Sequence, residues 1–153
     1  YYYFDSKDAI LDAVFDIGIR AVFDAVRQKV ESLAPHSSWR QKIEAAIAAH
    51  LDALLRLGDF TSANIRIYGQ SPAPIRARNQ KLRRAYANYW DALLTGARDA
   101  GGIRRDADLS LVRLLFIGAL NWTVEWYSAQ RGPVEPLAKM ASVILFDGIA
   151  KTK

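Results

Sequence analysis

The stretch that most constrains the fold is residues 109–127, LSLVRLLFIGALNWTVEWY, because its apolar side chains cover more than one face of a helix. Arg113 and Glu125 interrupt the stretch, which argues against a membrane span. A helix that is apolar nearly all round must be covered on both sides. We expect one side to face the chain's own core and the other side to face a second copy. At about 100° per residue, one face carries Leu111, Leu115, Gly118, Trp122 and Trp126, and the opposite face carries Phe116, Leu120, Val124 and Tyr127.

The composition excludes several classes of site. The chain has 153 residues, of which 51% are hydrophobic, so it can bury the core of one domain. It contains no cysteine, which excludes disulfides, thiolate metal sites and catalysis by a thiol. The two histidines, His36 and His50, are too few for a multi-histidine zinc site. Since a nucleophile–base pair and a glycine-rich phosphate loop are also missing, we expect no catalytic residues, no cofactor and no metal.

The periodicity of apolar residues predicts an all-α chain, because no run alternates as a strand does. Ser6 is expected to cap the first helix, Ser37 or Ser38 the second, and Asp106 or Asp108 the central one. The sequence shows no signal peptide and no lipidation motif, so we expect a cytoplasmic protein that does not bind membranes. The predicted helices, about six in number, cover residues 7–33, 39–58, 60–68, 74–100, 109–127 and 135–149.

The last predicted helix, residues 135–149, is again apolar on more than one side. Two such helices from each of two copies predict a homodimer that pairs through a four-helix bundle. Gly118 and Ala119 would allow the helices to approach closely. The residues that we expect at this interface are Leu111, Leu115, Gly118, Ala119, Trp126, Leu137, Met140 and Ile144.

Positive charge is concentrated between Arg66 and Arg105, where Asp91 and Asp99 are the only acidic residues. Such a run is usually a solvated helix face. It also admits a second interpretation, since cations in the first turns of a helix conflict with its dipole and a bound anion would relieve that conflict. The net charge of +5 permits an anionic partner without identifying it. The basic residues of the run are Arg66, Arg76, Arg78, Lys81, Arg83, Arg84, Arg98, Arg104 and Arg105.

The first fourteen residues, YYYFDSKDAILDAV, resemble the end of the helix-turn-helix and the start of the connecting helix in TetR-family transcriptional repressors. The resemblance implies that residues 1–5 are a remnant of a DNA-binding domain and that residues 6–153 form a ligand-binding and dimerisation domain. It also implies that Tyr2, Tyr3 and Lys7 contact DNA phosphates or form a hinge. We expect the rest of the helix-turn-helix to precede Tyr1, and operator DNA to be a partner only through that segment.

A second resemblance lies near the other end, in GALNWTVEWY and the Gly-Pro turn that follows. Asn121, Trp122, Trp126 and Tyr127 are similar to a pattern in TetR-family members that sense acyl-coenzyme A thioesters and govern fatty-acid or sterol breakdown. The next residues, Gln130 to Gly132, match that subgroup only in part. The resemblance implies a hydrophobic ligand, with an acyl-CoA as the candidate.

A ligand with an apolar tail and a charged head would use both the aromatic residues of the middle helices and the basic helix. We therefore expect a cavity between the second, fourth and central helices, with a mouth whose cations contact the phosphates. The expected lining residues are His50, Leu54, Tyr89, Leu93 and Trp122. The expected cations at the mouth are Arg76, Lys81 and Arg84.

Two polar residues on apolar helix faces keep alternative roles. His50 is either a core residue bonded to the backbone or a ligand contact. Asn121 needs hydrogen-bond partners if it is buried, and it either bonds across the dimer seam or faces the ligand.

Together these features predict a repressor whose DNA binding is relieved by a small hydrophobic ligand through a tilt of the first helix. We expect the ligand to release the DNA because release is the norm in the TetR family. The residues alone leave promotion of DNA binding open. The alternative is a helical ligand-binding module, or a multidrug-type sensor for neutral or cationic aromatic compounds.

Overall fold

The computed structural model describes residues 3–148 and 150, and within them every regular element is helical. The all-α prediction and the six main helices are confirmed. Single 3₁₀ turns lie at Tyr68–Gln70, Thr123–Glu125 and Ala129–Arg131. The helices are α1 (Lys7–Glu31), α2 (Trp39–Arg56), α3 (Gly58–Arg66), α4 (Ala73–Asp99), α5 (Leu109–Trp122) and α6 (Glu135–Phe146).

Side-chain caps account for where three helices begin. Ser6 accepts a hydrogen bond from the Ala9 N–H at 3.1 Å, as expected for α1. Of the two candidates for α2, Ser38 is the cap, and it forms a capping box with Gln41. Asp108 caps α5 by accepting from the backbone N–H of Leu111 at 3.1 Å.

The central helix is shorter than the sequence predicts, because α5 ends at Trp122 and the chain tightens into a 3₁₀ turn. The buried Thr123 hydroxyl donates to the Leu120 carbonyl at 2.7 Å, and the Tyr127 N–H donates to the Thr123 carbonyl. These local bonds compete with a continued helix. The expected last residue of α6, Ile149, lies outside the described residues.

The core lies where α1, α2 and α4 meet. α1 packs along α2, α3 and α4, while α6 packs mainly on α2 and α5 packs on α4 and α2. α2 therefore has neighbours on several sides, which explains why its apolar face is almost completely buried. The largest buried side chains of the core are Phe15, Val26, Ile43, Ile47, Leu51 and Trp90.

One side of α5 faces this core and the other side is exposed in the single chain. Leu109 and Leu120 are buried, whereas Leu115 is 75% and Trp122 is 61% exposed. The expectation of a two-sided helix with one side in the core is confirmed. We call the exposed apolar residues of α5 and α6 the apolar stripe: Leu111, Leu114, Leu115, Trp122, Met140 and Ile144.

Among the described residues, no helix combines the length and the apolar character that crossing a membrane requires.

We predict that Gly96→Ala destabilises the fold. A Cβ at Gly96 would lie 2.6 Å from ring atoms of Trp39. The Lys42 ammonium also packs on this ring, 4.2 Å from its centre. After a gain of roughly 1 kcal/mol in helix propensity, we expect a net loss of about 1–2 kcal/mol in the free energy of unfolding, measured by urea denaturation.

Gly69→Ala is the matched control, since no heavy atom lies within 4 Å of its added Cβ. It should change the free energy of unfolding by less than about 0.5 kcal/mol. A Gly96→Ala variant as stable as the control would mean that the Trp39 ring does not pack on α4.

Candidate ligand-binding site

A cavity of about 440 Å³ lies among five of the six helices, α1 to α5. This volume is in the range of small-molecule sites, roughly 300–1,000 Å³. Much of its wall is aliphatic, so an apolar ligand would be removed from water there. The aliphatic side chains that line it are Ile19, Val22, Leu54, Ile65 and Ile117.

A buried polar cluster forms one wall of the cavity and joins α2, α4 and α5. His50 is 2% exposed, with its Nδ1 2.7 Å from the Tyr86 hydroxyl and its Nε2 2.9 Å from Oδ1 of Asn121. A carbonyl oxygen can only accept, so Nε2 carries the proton and donates to Asn121. Nδ1 is then unprotonated and accepts from the Tyr86 hydroxyl. The cluster thus satisfies both ring nitrogens.

The cluster is neutral. Burial lowers the pKa of His50 to about 4, and the hydrogen bond to Asn121 opposes this shift only in part. Burial also raises the pKa of the Tyr86 hydroxyl. At neutral pH the wall therefore offers polar atoms without charge.

The structure shows the hydrogen-bond partners that His50 and Asn121 have within the chain. His50 bonds to two side chains, not to the backbone, and lines the cavity. Asn121 bonds to His50 within the same chain and lines the cavity too. Both residues are therefore in reach of a ligand in the cavity.

Five residues were expected to line one cavity, and the structure brings together His50, Leu54 and Trp122. Tyr89 and Leu93 lie instead on a separate groove beside Trp39. The reason is the helical turn of α4, which directs Tyr86 and Trp90 towards the cavity. Tyr89 and Leu93, each three positions later, face the last turn of α1 and the first turn of α2.

The three cations expected at the mouth do not line the cavity. The Arg76 guanidinium donates to the Ser71 carbonyl. Lys81 and Arg84 lie on the exposed face of α4, next to Gln80. The cations that do line the cavity are Arg83 and Arg113.

Arg83 is one of the lining residues that sequence reasoning missed. It was one member of the basic run, and nothing in the run distinguished it from its solvated neighbours. The signal lies in spacing: Arg83, Tyr86 and Trp90 are three and four residues apart and so share one face of α4.

The residues expected to contact DNA lie at the start of the described chain. Tyr2 lies outside the described residues. Tyr3 is 87% exposed, and Lys7, the first residue of α1, is exposed as well. Both are accessible, and their role as phosphate contacts stays a prediction.

We predict that His50 makes stability depend on pH. Its pKa is about 4 in the fold and ordinarily 6.5, so between these values the unfolded chain binds a proton that the fold does not. The contribution of neutral His50 to the free energy of unfolding is complete above pH 6.5. It falls as the pH decreases towards 4, by roughly 3 kcal/mol in total.

Urea denaturation from pH 7.5 to 4 would measure this effect against His50→Gln, which cannot titrate. The parent should lose stability relative to the variant as the pH falls through this range. Parallel pH profiles would show that His50 is not buried as a neutral group.

A family model matches residues 36–149, about three quarters of the chain, and it is described as "Tetracyclin repressor-like, C-terminal domain". Among curated proteins, the chain is 23% identical to the fatty acid metabolism regulator protein of Bacillus subtilis (strain 168). That alignment covers 97% of this chain and 76% of the relative.

Two solved structures show the same fold. The chain matches the TetR family transcriptional regulator PfmR from Thermus thermophilus with a TM-score of 0.82 and 19% identity. It matches the fatty acid degradation regulator FadR from Bacillus halodurans with a TM-score of 0.77 and 19% identity. Each match covers 97% of this chain and 79% of the other. The chain therefore belongs to the TetR family of transcriptional regulators, and its residues 36–149 correspond to the C-terminal domain of that family.

Proposed function

We propose that this chain is the ligand-binding and dimerisation part of a repressor that releases its operator DNA when an acyl compound enters the cavity. The observation that carries the proposal is the largely apolar cavity of about 440 Å³, with α1 as one of its walls. A regulator of this kind works where its operator DNA lies, in the cytoplasm.

The comparisons and the sequence support an acyl chain as the apolar part of the ligand. Relatives from two Bacillus species carry names that refer to fatty-acid metabolism or degradation. Asn121 and Trp122, which carry the resemblance to acyl-CoA sensors, both line the cavity. We therefore propose an acyl-CoA as the effector, with its acyl chain among Ile19, Val22 and Ile117.

The rival ligand, a cationic aromatic compound, fits the cavity less well. Tyr86, Trp90 and Trp122 could stack on an aromatic ring. Within the part of the chain that the structure describes, however, no Asp or Glu lines the cavity, while Arg83 and Arg113 do. Like charges at short range in a partly buried site repel strongly, which disfavours a cation.

The contacts of α1 suggest how a ligand would act on DNA binding. Gly18, Ile19 and Val22 of α1 line the cavity. The Asn64 amide donates to the Val14 carbonyl at 3.3 Å, and a Cβ at Gly18 would lie 2.1 Å from its nitrogen. A ligand that moves this wall would shift α1, and with it the segment that precedes Lys7.

A second set of hydrogen bonds connects the first turns of α1 to α4. Asp12 accepts from Arg78 Nε at 2.8 Å and from Asn79 Nδ2 at 2.7 Å, both on α4. α1 and α4 would therefore move together near the N-terminus. In a dimer, such a shift would change the spacing of two recognition helices, which must match half-sites about one DNA turn apart.

The apolar stripe supports a homodimer through α5 and α6. Leu111, Leu115, Met140 and Ile144, all expected at the interface, are exposed in the single chain. Exposed apolar side chains in this number on two helices are typical of an interaction surface. We propose that two copies pair these helices as a four-helix bundle that buries well over roughly 1,000 Å² in total.

Leu115→Glu should abolish the dimer without unfolding the chain, because the side chain is 75% exposed in the single chain. Ile67→Glu, at an exposed apolar residue outside the stripe, should leave the dimer intact. Light scattering at micromolar concentration measures both. A monomeric parent, or a Leu115→Glu variant that stays dimeric, would contradict the proposed interface.

The repressor function predicts DNA binding by a chain that carries a helix-turn-helix domain ahead of Tyr1. Its affinity for promoter DNA, that of its own gene included, should fall steeply with salt, because phosphate contacts release counterions. Dodecanoyl-CoA should lower that affinity. Ile117→Trp should keep DNA binding and lose the response, since the larger ring fills the cavity.

Gel shifts with and without the ligand would test these outcomes. Failure to bind promoter DNA at low salt would reject the repressor function. DNA binding that dodecanoyl-CoA and dodecanoate both leave unchanged would reject the acyl effector.

A further inference from the structure

Two buried side-chain nitrogens have no hydrogen-bond partner within the described residues, and both belong to residues that line the cavity. They are Nε of Arg83 and Nε1 of Trp90 on α4. Each can only donate, and a buried donor without an acceptor costs free energy. The described part of the chain therefore leaves polar groups of two wall residues without an acceptor.

Arg83 also carries a charge that no carboxylate of residues 3–148 neutralises. Among these residues, no Asp or Glu oxygen lies within 4 Å of its guanidinium. Its partners are neutral: it donates to Oδ1 of Asn64 and lies 3.5 Å from the ring centre of Tyr68. Arg113, on the same cavity, is instead paired with Asp91 at 2.7 Å.

The surroundings leave the charge of Arg83 available to an anionic ligand. None of the described residues that line the cavity is acidic, so Arg83 would not have to leave a carboxylate in order to bind a ligand. Burial lowers the pKa of Arg83, but a guanidinium remains charged at neutral pH. Arginine offers paired N–H groups that match carboxylate and phosphate oxygens.

We propose that Arg83 binds the anionic head group, a carboxylate or a phosphate, of an amphiphilic ligand whose apolar part fills the same cavity. This assignment rests on the proposed acyl effector and names the residue that recognises its charge. It differs from the sequence prediction, which gave this role to Arg76, Lys81 and Arg84.

The position of Arg83 also ties the ligand's charge to α1. Asn64, which accepts from Arg83, donates through its own amide to the Val14 carbonyl of α1 and the Phe60 carbonyl of α3. An anion that binds the guanidinium competes with Asn64 for its N–H groups. Binding of the charged head group would therefore act on a residue that hydrogen-bonds to α1.

The test compares the parent chain with Arg83→Gln, using three probes with the same acyl chain. Dodecanoate carries a carboxylate, dodecanoyl-CoA carries phosphates, and methyl dodecanoate carries no charge. Calorimetric titration should show that Arg83→Gln weakens binding of at least one anionic probe by about tenfold or more. Binding of methyl dodecanoate should change by less than about twofold, since it makes no charged contact.

Two further variants separate charge recognition from damage to the fold. Arg98→Gln removes the same charge from the same helix away from the cavity, and it should bind all probes as the parent does. Arg83→Lys keeps the charge but not the paired N–H groups, and it should bind the anions with intermediate affinity. Retained binding of the neutral ester shows that Arg83→Gln is folded.

The outcomes distinguish the two proposals. Loss of dodecanoate binding in Arg83→Gln assigns a carboxylate to the site, and loss of dodecanoyl-CoA binding assigns a phosphate. If both anions bind Arg83→Gln as tightly as the parent, the acyl effector stands and the role of Arg83 is rejected. If none of the three probes binds the parent, the acyl effector is rejected and this assignment with it.

Discussion

The rest of the chain covers only one side of α5, and the structure depends on this. Leu109 and Leu120 are buried, while Leu111, Leu114 and Leu115 are exposed. The cavity lies at the border between these two sides, because Gly118 and Trp122 line it and are also exposed. A partner seated on the apolar stripe would therefore also cover an edge of the cavity. The proposed dimer and the proposed ligand site would thus both use the same incompletely covered helix.

The polar cluster holds together three helices that form walls of the cavity. His50 of α2 bonds to Tyr86 of α4 and to Asn121 of α5, so each helix supplies one member. A buried network that satisfies its members fixes the relative positions of the helices, whereas a partly satisfied one would cost stability. Because this cluster is neutral, the charge of the cavity comes from Arg83 and Arg113. The cavity thus combines a rigid neutral wall with a separate cationic one.

The sequence predicted the helices better than the site, for a physical reason. Caps such as Ser6 and the two-sided apolar pattern of α5 are local, and local patterns can be read from the chain. The apolar arc of α4 is so wide that periodicity alone does not show whether Tyr86 or Tyr89 faces the cavity. Arg83 was missed because its distinguishing property, a guanidinium held by neutral partners, exists only after α3 and α4 pack together.

The coupling of ligand to DNA is best understood from what holds α1. Near its first turns, α1 is tied to α4 through Asp12, which accepts from Arg78 and Asn79. Two residues further on, at the Val14 carbonyl, α1 is bonded to α3 through Asn64, which also accepts from Arg83. The bonds of Asp12 join α1 to α4, the helix that carries Arg83. Asn64 also accepts a hydrogen bond from Arg83, and an anionic ligand would compete for that bond. Apolar packing also holds this part of α1, since Phe15 is fully buried, and it continues along the helix at Val22 and Val26. Displacement of Asn64 would change the polar contacts of α1 near Lys7, where the proposed DNA-binding segment would join the helix.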